Sequence, residues 1–210
     1  MNNREIKGAL FDLDGVIIDT ETTYSYFWQK VDEAFPTNVP HFSDVIKGSN
    51  LDTILNTYFP VEKHAAVVEM LNSFQREMDY PYFAGAMEMV DEMRARGIVT
   101  CVVTSSDRKK MEALYAQHLD FASHFSAIIT GDMVSAPKPD PECFLLGAAK
   151  IGIPIEQCVV FEDSFNGIAA GQSAGAMVVA VATTNPASSL RNGSECVINQ
   201  LSDFDLDALI

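Results

Sequence analysis

Asp12 and Asp14, in the run Ala9-Leu10-Phe11-Asp12-Leu13-Asp14-Gly15-Val16, place two carboxylates one residue apart where an apolar stretch gives way to glycine. If that stretch is a strand, alternation sends both side chains to the same side. Like charges that close raise one another's pKa unless a cation neutralises them. A divalent metal held by oxygen ligands is the simplest neutraliser, and Mg²⁺ takes only one or two carboxylates from a protein. An isolated Asp-x-Asp is more often a turn or a solvated strand end, so its meaning depends on what else recurs in the chain. Three further polar groups do: Thr104-Ser105-Ser106-Asp107, Lys138 within Ala136-Pro137-Lys138-Pro139-Asp140-Pro141, and Glu162-Asp163-Ser164. Taken singly, these read as a helix N-cap cluster, a surface lysine and an acidic turn. Their common feature is position: each follows a short apolar run.

The apolar runs are Ile6–Phe11, Val99–Val103, Ala127–Thr130, Cys158–Phe161, Met177–Ala182 and Cys196–Ile198. Helical periodicity fills most of the gaps, at Ala86–Arg96, Arg108–Leu119 and Pro141–Ile151, with Gly97 and Gly152 as stops. Strands alternating with helices imply parallel pairing through right-handed crossovers, hence a three-layer α/β sandwich. In open sheets of this kind ligands bind beyond the carboxyl ends of the strands. All four polar groups are therefore expected on one rim.

One stretch breaks the alternation. From Thr20 to Tyr82 only helical spacing is present, as in Tyr24, Phe27, Val31 and Phe35, punctuated by Pro36, Pro40, Pro60 and Pro81. The simplest account is an all-helical insert after the first strand, sitting as a cap over the strand ends. Residues 1–19 and 83–210 then form the core domain and residues 20–82 the cap. The alternative is one continuous domain with extra helices on a face.

Composition narrows the partners. Nearly half of the 210 residues are apolar and a fifth are charged, which suits a buried core rather than global disorder. A net charge of −15 argues against nucleic acid and anionic membrane surfaces. Small anionic substrates stay open, because a metal and a few basic groups can reverse the field inside one cleft. No run reaches the length of a membrane span, and Met1–Glu5 lacks the apolar core of a signal peptide, so a cytoplasmic location is expected. The four cysteines form no Cys-x-x-Cys pair and the four histidines no ligand spacing. Buried reduced thiols are expected, without a disulfide or zinc framework. Nothing in the sequence sets the oligomeric state.

Taken in order, these motifs resemble the haloacid dehalogenase-like superfamily. The resemblance rests on Phe11-Asp12-Leu13-Asp14-Gly15, Val103-Thr104-Ser105-Ser106, Lys138-Pro139-Asp140-Pro141 and Phe161-Glu162-Asp163-Ser164-Phe165-Asn166-Gly167, and spans Ile6 to about Thr183. A helical insert directly after the first motif is similar to the subgroup of β-phosphoglucomutases and small sugar-phosphate phosphatases. The resemblance implies a Rossmann-like core with a helical cap. Dehalogenases of the superfamily lack the second aspartate, so Asp14 points away from carbon–halogen cleavage. The mutases carry His where this chain has Tyr24, and Arg in a cap loop near Lys47-Gly48-Ser49-Asn50-Leu51-Asp52. Their absence favours a phosphatase over the mutase alternative. A non-catalytic metabolite-binding protein is a third alternative, disfavoured because every chemical group is present.

The resemblance also implies roles. Asp12 is the nucleophile that forms an aspartyl-phosphate, and Asp14 is the acid and base toward the leaving oxygen and the attacking water. Mg²⁺ is held by Asp12, by Asp163 and by the backbone carbonyl of Asp14, with Glu162 either a direct ligand or one step behind. Thr104 and Lys138 hold the phosphate, with Ser105 as a stand-in for Thr104. Tyr24 and Asn50 face a small phosphorylated metabolite from the cap.

Overall fold

The computed structural model describes residues 5–47 and 49–209. Met1–Arg4 at the start of the expected core domain, Gly48 of the expected cap loop, and Ile210 lie outside the described residues. Six strands, β1 (Gly8–Phe11), β2 (Val99–Val103), β3 (Ala127–Ile129), β4 (Cys158–Glu162), β5 (Met177–Val181) and β6 (Cys196–Ile198), form one sheet. Its order is β3-β2-β1-β4-β5-β6 and every pairing is parallel. The first strand is central, so its carboxyl end lies between those of β2 and β4.

Strand alternation builds two separate apolar layers. Ala9, Phe11, Val102, Val159, Phe161 and Val179 face one side, where they pack with Met89, Val90 and Met93 of α5 (Ala86–Ala95) and Met111 and Leu114 of α6 (Arg108–Gln117). Leu10, Cys101, Val103, Val160 and Val178 face the other, against α7 (Glu142–Ile151) and α8 (Phe165–Ala174). Strands covered on both faces read as unbroken apolar runs, and here they do. The three-layer α/β arrangement expected from the sequence is present.

The runs and helices differ from expectation at their ends. Pairing of β1 begins at Gly8 rather than Ile6. Pro141 caps α7 instead of opening it. Helix α6 stops at Gln117, because His118 leaves helical geometry and Leu119 is exposed. Periodicity marks faces, whereas ends are set by local dihedrals.

Between β1 and α5 the chain forms α1 (Glu21–Ala34), α2 (Phe42–Val45), α3 (Leu51–Tyr58) and α4 (Val61–Glu77). These helices bury their own cluster, with Phe27, Trp28, Val31, Phe42, Ile54, Leu55, Val67 and Leu71 at its heart. Phe27 stacks on Phe74 at 4.6 Å, and Trp28 meets Phe42 edge to face. Tyr24 and Phe74 touch both this cluster and the adjoining sheet layer. The chain leaves and re-enters the sheet layer side by side: Asp19 N–H donates to Pro81 O at 2.8 Å, and Ile18 bridges Tyr82. Near the end of the chain α9 (Ala187–Leu190) adds Leu190 to the second apolar layer. Among the described residues no helix is long and apolar enough to cross a membrane. The four cysteines are free thiols, three buried and Cys196 exposed.

Candidate active site

The carboxyl ends of β1, β2 and β4 open into a cleft of about 350 Å³. Its floor carries Asp12, Asp14, Thr104, Ser105, Lys138, Glu162 and Asp163, and its helical wall carries Tyr24, Asn50, Trp28, Lys47 and Gln75. The structure thus brings together every residue singled out in the sequence. Backbone bonds fix their places. Asp12 N–H donates to Phe161 O at 3.0 Å, and Thr104 N–H donates to Ile129 O at 2.9 Å, each carrying the sheet ladder one residue past its strand.

Lys138 is the hub of one pole. Its ammonium donates to Asp12 Oδ1 at 2.5 Å, Glu162 Oε1 at 2.7 Å and Val103 O at 3.1 Å, which uses all three of its hydrogens. The remaining oxygen of Glu162 accepts from Ser164 N–H at 2.8 Å and from the Ser164 hydroxyl at 2.9 Å. Asp12, Glu162 and Asp163 are buried, and each offers an oxygen within 4.8 Å of the other two. Three carboxylates are therefore gathered beside one ammonium that touches only two of them. Burial pushes the Asp12 carboxyl up to about 7, and Glu162 and Asp14 push the same way against the pull of Lys138. Burial, then the charges of Glu162 and Asp12, hold Asp163 well above the ordinary carboxylate range. Burial works to lower the Lys138 ammonium, but Asp12 and Glu162 outweigh it and leave it above an ordinary lysine.

That surplus of negative charge favours a cation at this pole. A buried carboxylate cluster short of cations gains by binding one, and an all-oxygen donor set suits Mg²⁺ rather than a soft metal.

Asp14 lies at a second pole. Beyond β1 the chain turns, with Gly15 N–H donating to Ile18 O at 2.9 Å, so the Asp14 carboxylate does not join the Asp12 cluster. It meets Lys110 instead, whose ammonium sits 2.5 and 2.6 Å from its two oxygens. The hydroxyls of Thr20 and Ser106 also donate to it, the latter at 3.0 Å. Burial alone would raise the Asp14 carboxyl; Lys110, Thr20 and Ser106 together hold it below its usual range. The common environment expected from strand alternation is thus replaced by two environments.

Two glycines make room for this arrangement. Gly15 has φ +82°, and a side chain there would run into the Asp163 carboxylate. At Gly167 a Cβ would collide with the Glu162 carboxylate, so the first turn of α8 can press against it.

The remaining expected residues are placed as follows. Thr104 is buried, and its hydroxyl oxygen accepts from Ser106 N–H at 3.0 Å, leaving its hydrogen to donate elsewhere. Ser105 lines the cleft beside it. Tyr24 accepts from Gln75 Nε2 at 3.1 Å, and its ring carries the Lys110 ammonium 4.3 Å from the centroid. Asn50 caps α3, its side chain accepting from Thr53 N–H at 2.8 Å. Lys110 and Thr20 carry no expectation of a site role from the sequence, and Ser106 stands there only as a member of the polar run after β2. Arg108-Lys109-Lys110 reads as the solvated face of a helix, and nothing local marks its third member as buried.

Known proteins resemble this chain in sequence and in fold. A haloacid dehalogenase-like hydrolase profile matches residues 6–175. The chain is 27% identical over 216 residues to a Drosophila melanogaster protein named probable pseudouridine-5'-phosphatase, covering 96% of this chain and 92% of that protein. It is 31% identical over 183 residues to the Escherichia coli fructose-1-phosphate phosphatase YqaB, covering 80% and 92%. It spans only 19% and 54% of two longer Arabidopsis thaliana proteins that it also matches. In fold it is similar to the crystal structure of a β-phosphoglucomutase from Clostridium difficile, with a TM-score of 0.79, 22% identity and coverage of 97% and 95%. With its profile match over most of the length and its motif residues gathered on one rim, the chain belongs to the haloacid dehalogenase-like hydrolase family.

Proposed function

We propose that this chain is a Mg²⁺-dependent phosphatase that releases inorganic phosphate from a small phosphorylated metabolite, a sugar phosphate first among them, through an aspartyl-phosphate on Asp12. The observation that carries the reading is the Asp12–Lys138 pair at 2.5 Å, backed by Glu162 and Asp163 at the carboxyl ends of β1 and β4. The names of the relatives support the class of substrate. Residues 1–19 and 83–210 act as the core domain, and residues 20–82 act as the cap that closes the cleft. A mutase reading is disfavoured by Tyr24. Its phenol is satisfied by Gln75 and is held above its ordinary pKa, chiefly by burial, so it offers no imidazole-like proton exchange.

Phosphoryl transfer asks mainly for alignment and charge neutralisation. The Asp12 carboxylate attacks phosphorus while Lys138 restrains it from the side. The Thr104 hydroxyl holds a phosphate oxygen, and Lys138 reaches another by giving up the long 3.1 Å bond to Val103 O. Asp14, ionised beside Lys110 in the free protein, takes up a proton as the entering substrate loosens that pair, gives it to the leaving oxygen and regains one from the attacking water. One of its two engaged oxygens is released when a substrate enters. Asp12, Asp163 and the Asp14 carbonyl would hold Mg²⁺, which supplies neutralising charge at the phosphoryl group. Glu162, committed to Lys138 and Ser164, orients the lysine.

The test is phosphate release across a panel of phosphate esters with Mg²⁺, repeated in EDTA and after Mg²⁺ is restored. Release on sugar phosphates, loss in chelator and recovery with Mg²⁺ are expected. Full activity in chelator after dialysis would overturn the metal dependence. Rapid glucose 6-phosphate formation from β-glucose 1-phosphate with catalytic glucose 1,6-bisphosphate, and little phosphate release, would replace the phosphatase by the mutase.

A further inference from the structure

Lys110 belongs to none of the motifs, yet it is one of the most constrained side chains in the cleft. It stands three residues after Asp107, the N-cap of α6, and its side chain is 5% exposed. Its neighbours Arg108 and Lys109 are exposed. A buried ammonium is costly unless it is paired and hydrogen-bonded. This one spans both oxygens of Asp14 and rests on the face of Tyr24, a favourable place for a cation. Tyr24 is in turn held by Gln75 from α4 and packs edge to face on Phe74. A continuous path therefore runs from the helical segment, through Tyr24 and Lys110, to the carboxylate of Asp14. Thr20, at the entry to α1, completes the ring of donors around that carboxylate.

We propose that Lys110 is a positioning residue that aims Asp14. Gripping both oxygens, it fixes the side-chain rotamer, and through its seat on Tyr24 it ties that aim to the placement of α1. The proposal rests on the reading of Asp14 as proton donor and acceptor given above. With Asp14 on one side and the Tyr24 ring on the other, the ammonium acts through Asp14 and not on the substrate.

The test combines Lys110→Met, Lys110→Arg, Asp14→Asn and the double variant Lys110→Met/Asp14→Asn. Misaiming a group by about 1 Å can cost on the order of 10²-fold, so Lys110→Met should lower kcat/KM on an alkyl phosphate by about that factor. The loss should be much smaller on para-nitrophenyl phosphate, whose leaving group departs without a proton. Lys110→Arg, which keeps a two-point donor, should recover a large part of the activity. In the Asp14→Asn background, Lys110→Met should add nothing, the signature of two residues acting as a unit. Equal losses on both esters, or a full additional loss in the Asp14→Asn background, would overturn the proposal. A raised KM with kcat unchanged would make Lys110 a substrate anchor and overturn it too. Should Lys110→Met not fold, Lys110→Gln carries the same comparisons. A crystal structure of the variant gives a readout independent of activity. Asp14 leaving its present place supports the proposal, and Asp14 unmoved refutes it, even if the wild-type protein hydrolyses no phosphate ester and the phosphatase reading itself has failed.

Discussion

Two lysine–carboxylate pairs line the cleft, the buried Lys138 with Asp12 and the buried Lys110 with the half-buried Asp14, each 2.5 Å long. They have opposite electrostatic outcomes. The Asp12 carboxyl is pushed up to about 7, while that of Asp14 is held below its usual range. The pair distance is the same, so the difference lies in what else competes. At the first pole Glu162 shares the ammonium and Asp163 adds a further negative charge, so burial prevails. At the second, one carboxylate has an ammonium and two hydroxyls to itself, and burial is overcome. A short ion pair by itself therefore says little about the state of its acid; the balance of charges within the shell decides. The first pole is short of positive charge and suited to receive a metal and a phosphate. The second is already neutralised, which keeps the Asp14 side chain out of the metal cluster and makes its uptake of a proton depend on loosening the Lys110 pair.

The most severe way to break the comparison is to remove the nucleophile. Asp12→Asn keeps the shape and the bond to Lys138 but cannot form the aspartyl-phosphate. Loss of kcat on the best substrate should be about 10⁴-fold or more, comparable with losses seen for other covalent nucleophiles. The circular dichroism spectrum should be unchanged. Near wild-type turnover would show that the first pole is not the covalent one.

A smaller effect sharpens the charge argument. Mg²⁺ binding requires the raised carboxyls of the first pole to be ionised, so binding should release protons below about pH 7 and affinity should rise with pH. For each proton displaced the slope is about tenfold in affinity per pH unit. Calorimetry in buffers of different ionisation heat measures the release directly. No proton release at pH 6 would mean that the Asp12 cluster is already ionised without metal.

The smallest effect is on stability, and here the poles should pull in opposite directions. Asp12 holds a proton in the folded protein that the unfolded chain loses above 3.8, so its contribution to metal-free stability falls as pH rises from there to about 7. Asp14 is ionised more readily when folded; its contribution is present above its usual range and is lost as pH falls through its lowered pKa. Metal-free melting temperature should therefore decline by about 5 °C between pH 4 and pH 7. Asp12→Asn should flatten that decline, and Mg²⁺ should raise the melting temperature most at its upper end. A rise in Tm across the same window would contradict the assignment at Asp12.

Much of this protein was legible in its residues because parallel sheets covered on both faces announce themselves locally. The apolar runs around Leu10, Val102 and Val160 need no partner to be read as buried strands. Polar residues directly after such runs must then lie on the rim where strands end, which is why Asp12, Thr104 and Asp163 group together, whereas Lys138 joins them from the longer loop beyond β3. The helical spacing of Tyr24, Phe27 and Val31 likewise marks α1 from within its own turn. What could not be read was which lysine serves which acid. Lys110 lies 96 residues from Asp14, and nothing local separates it from the exposed Arg108 and Lys109. Its burial depends on how α6 is rotated against the sheet and on how closely α1 brings Tyr24 over it. The order of motifs thus determined the kind of chemistry and the rim on which it takes place. The opposite charge states of the two poles were decided only by tertiary packing, because burial and neighbouring charge are properties of the assembled shell and not of any residue within it.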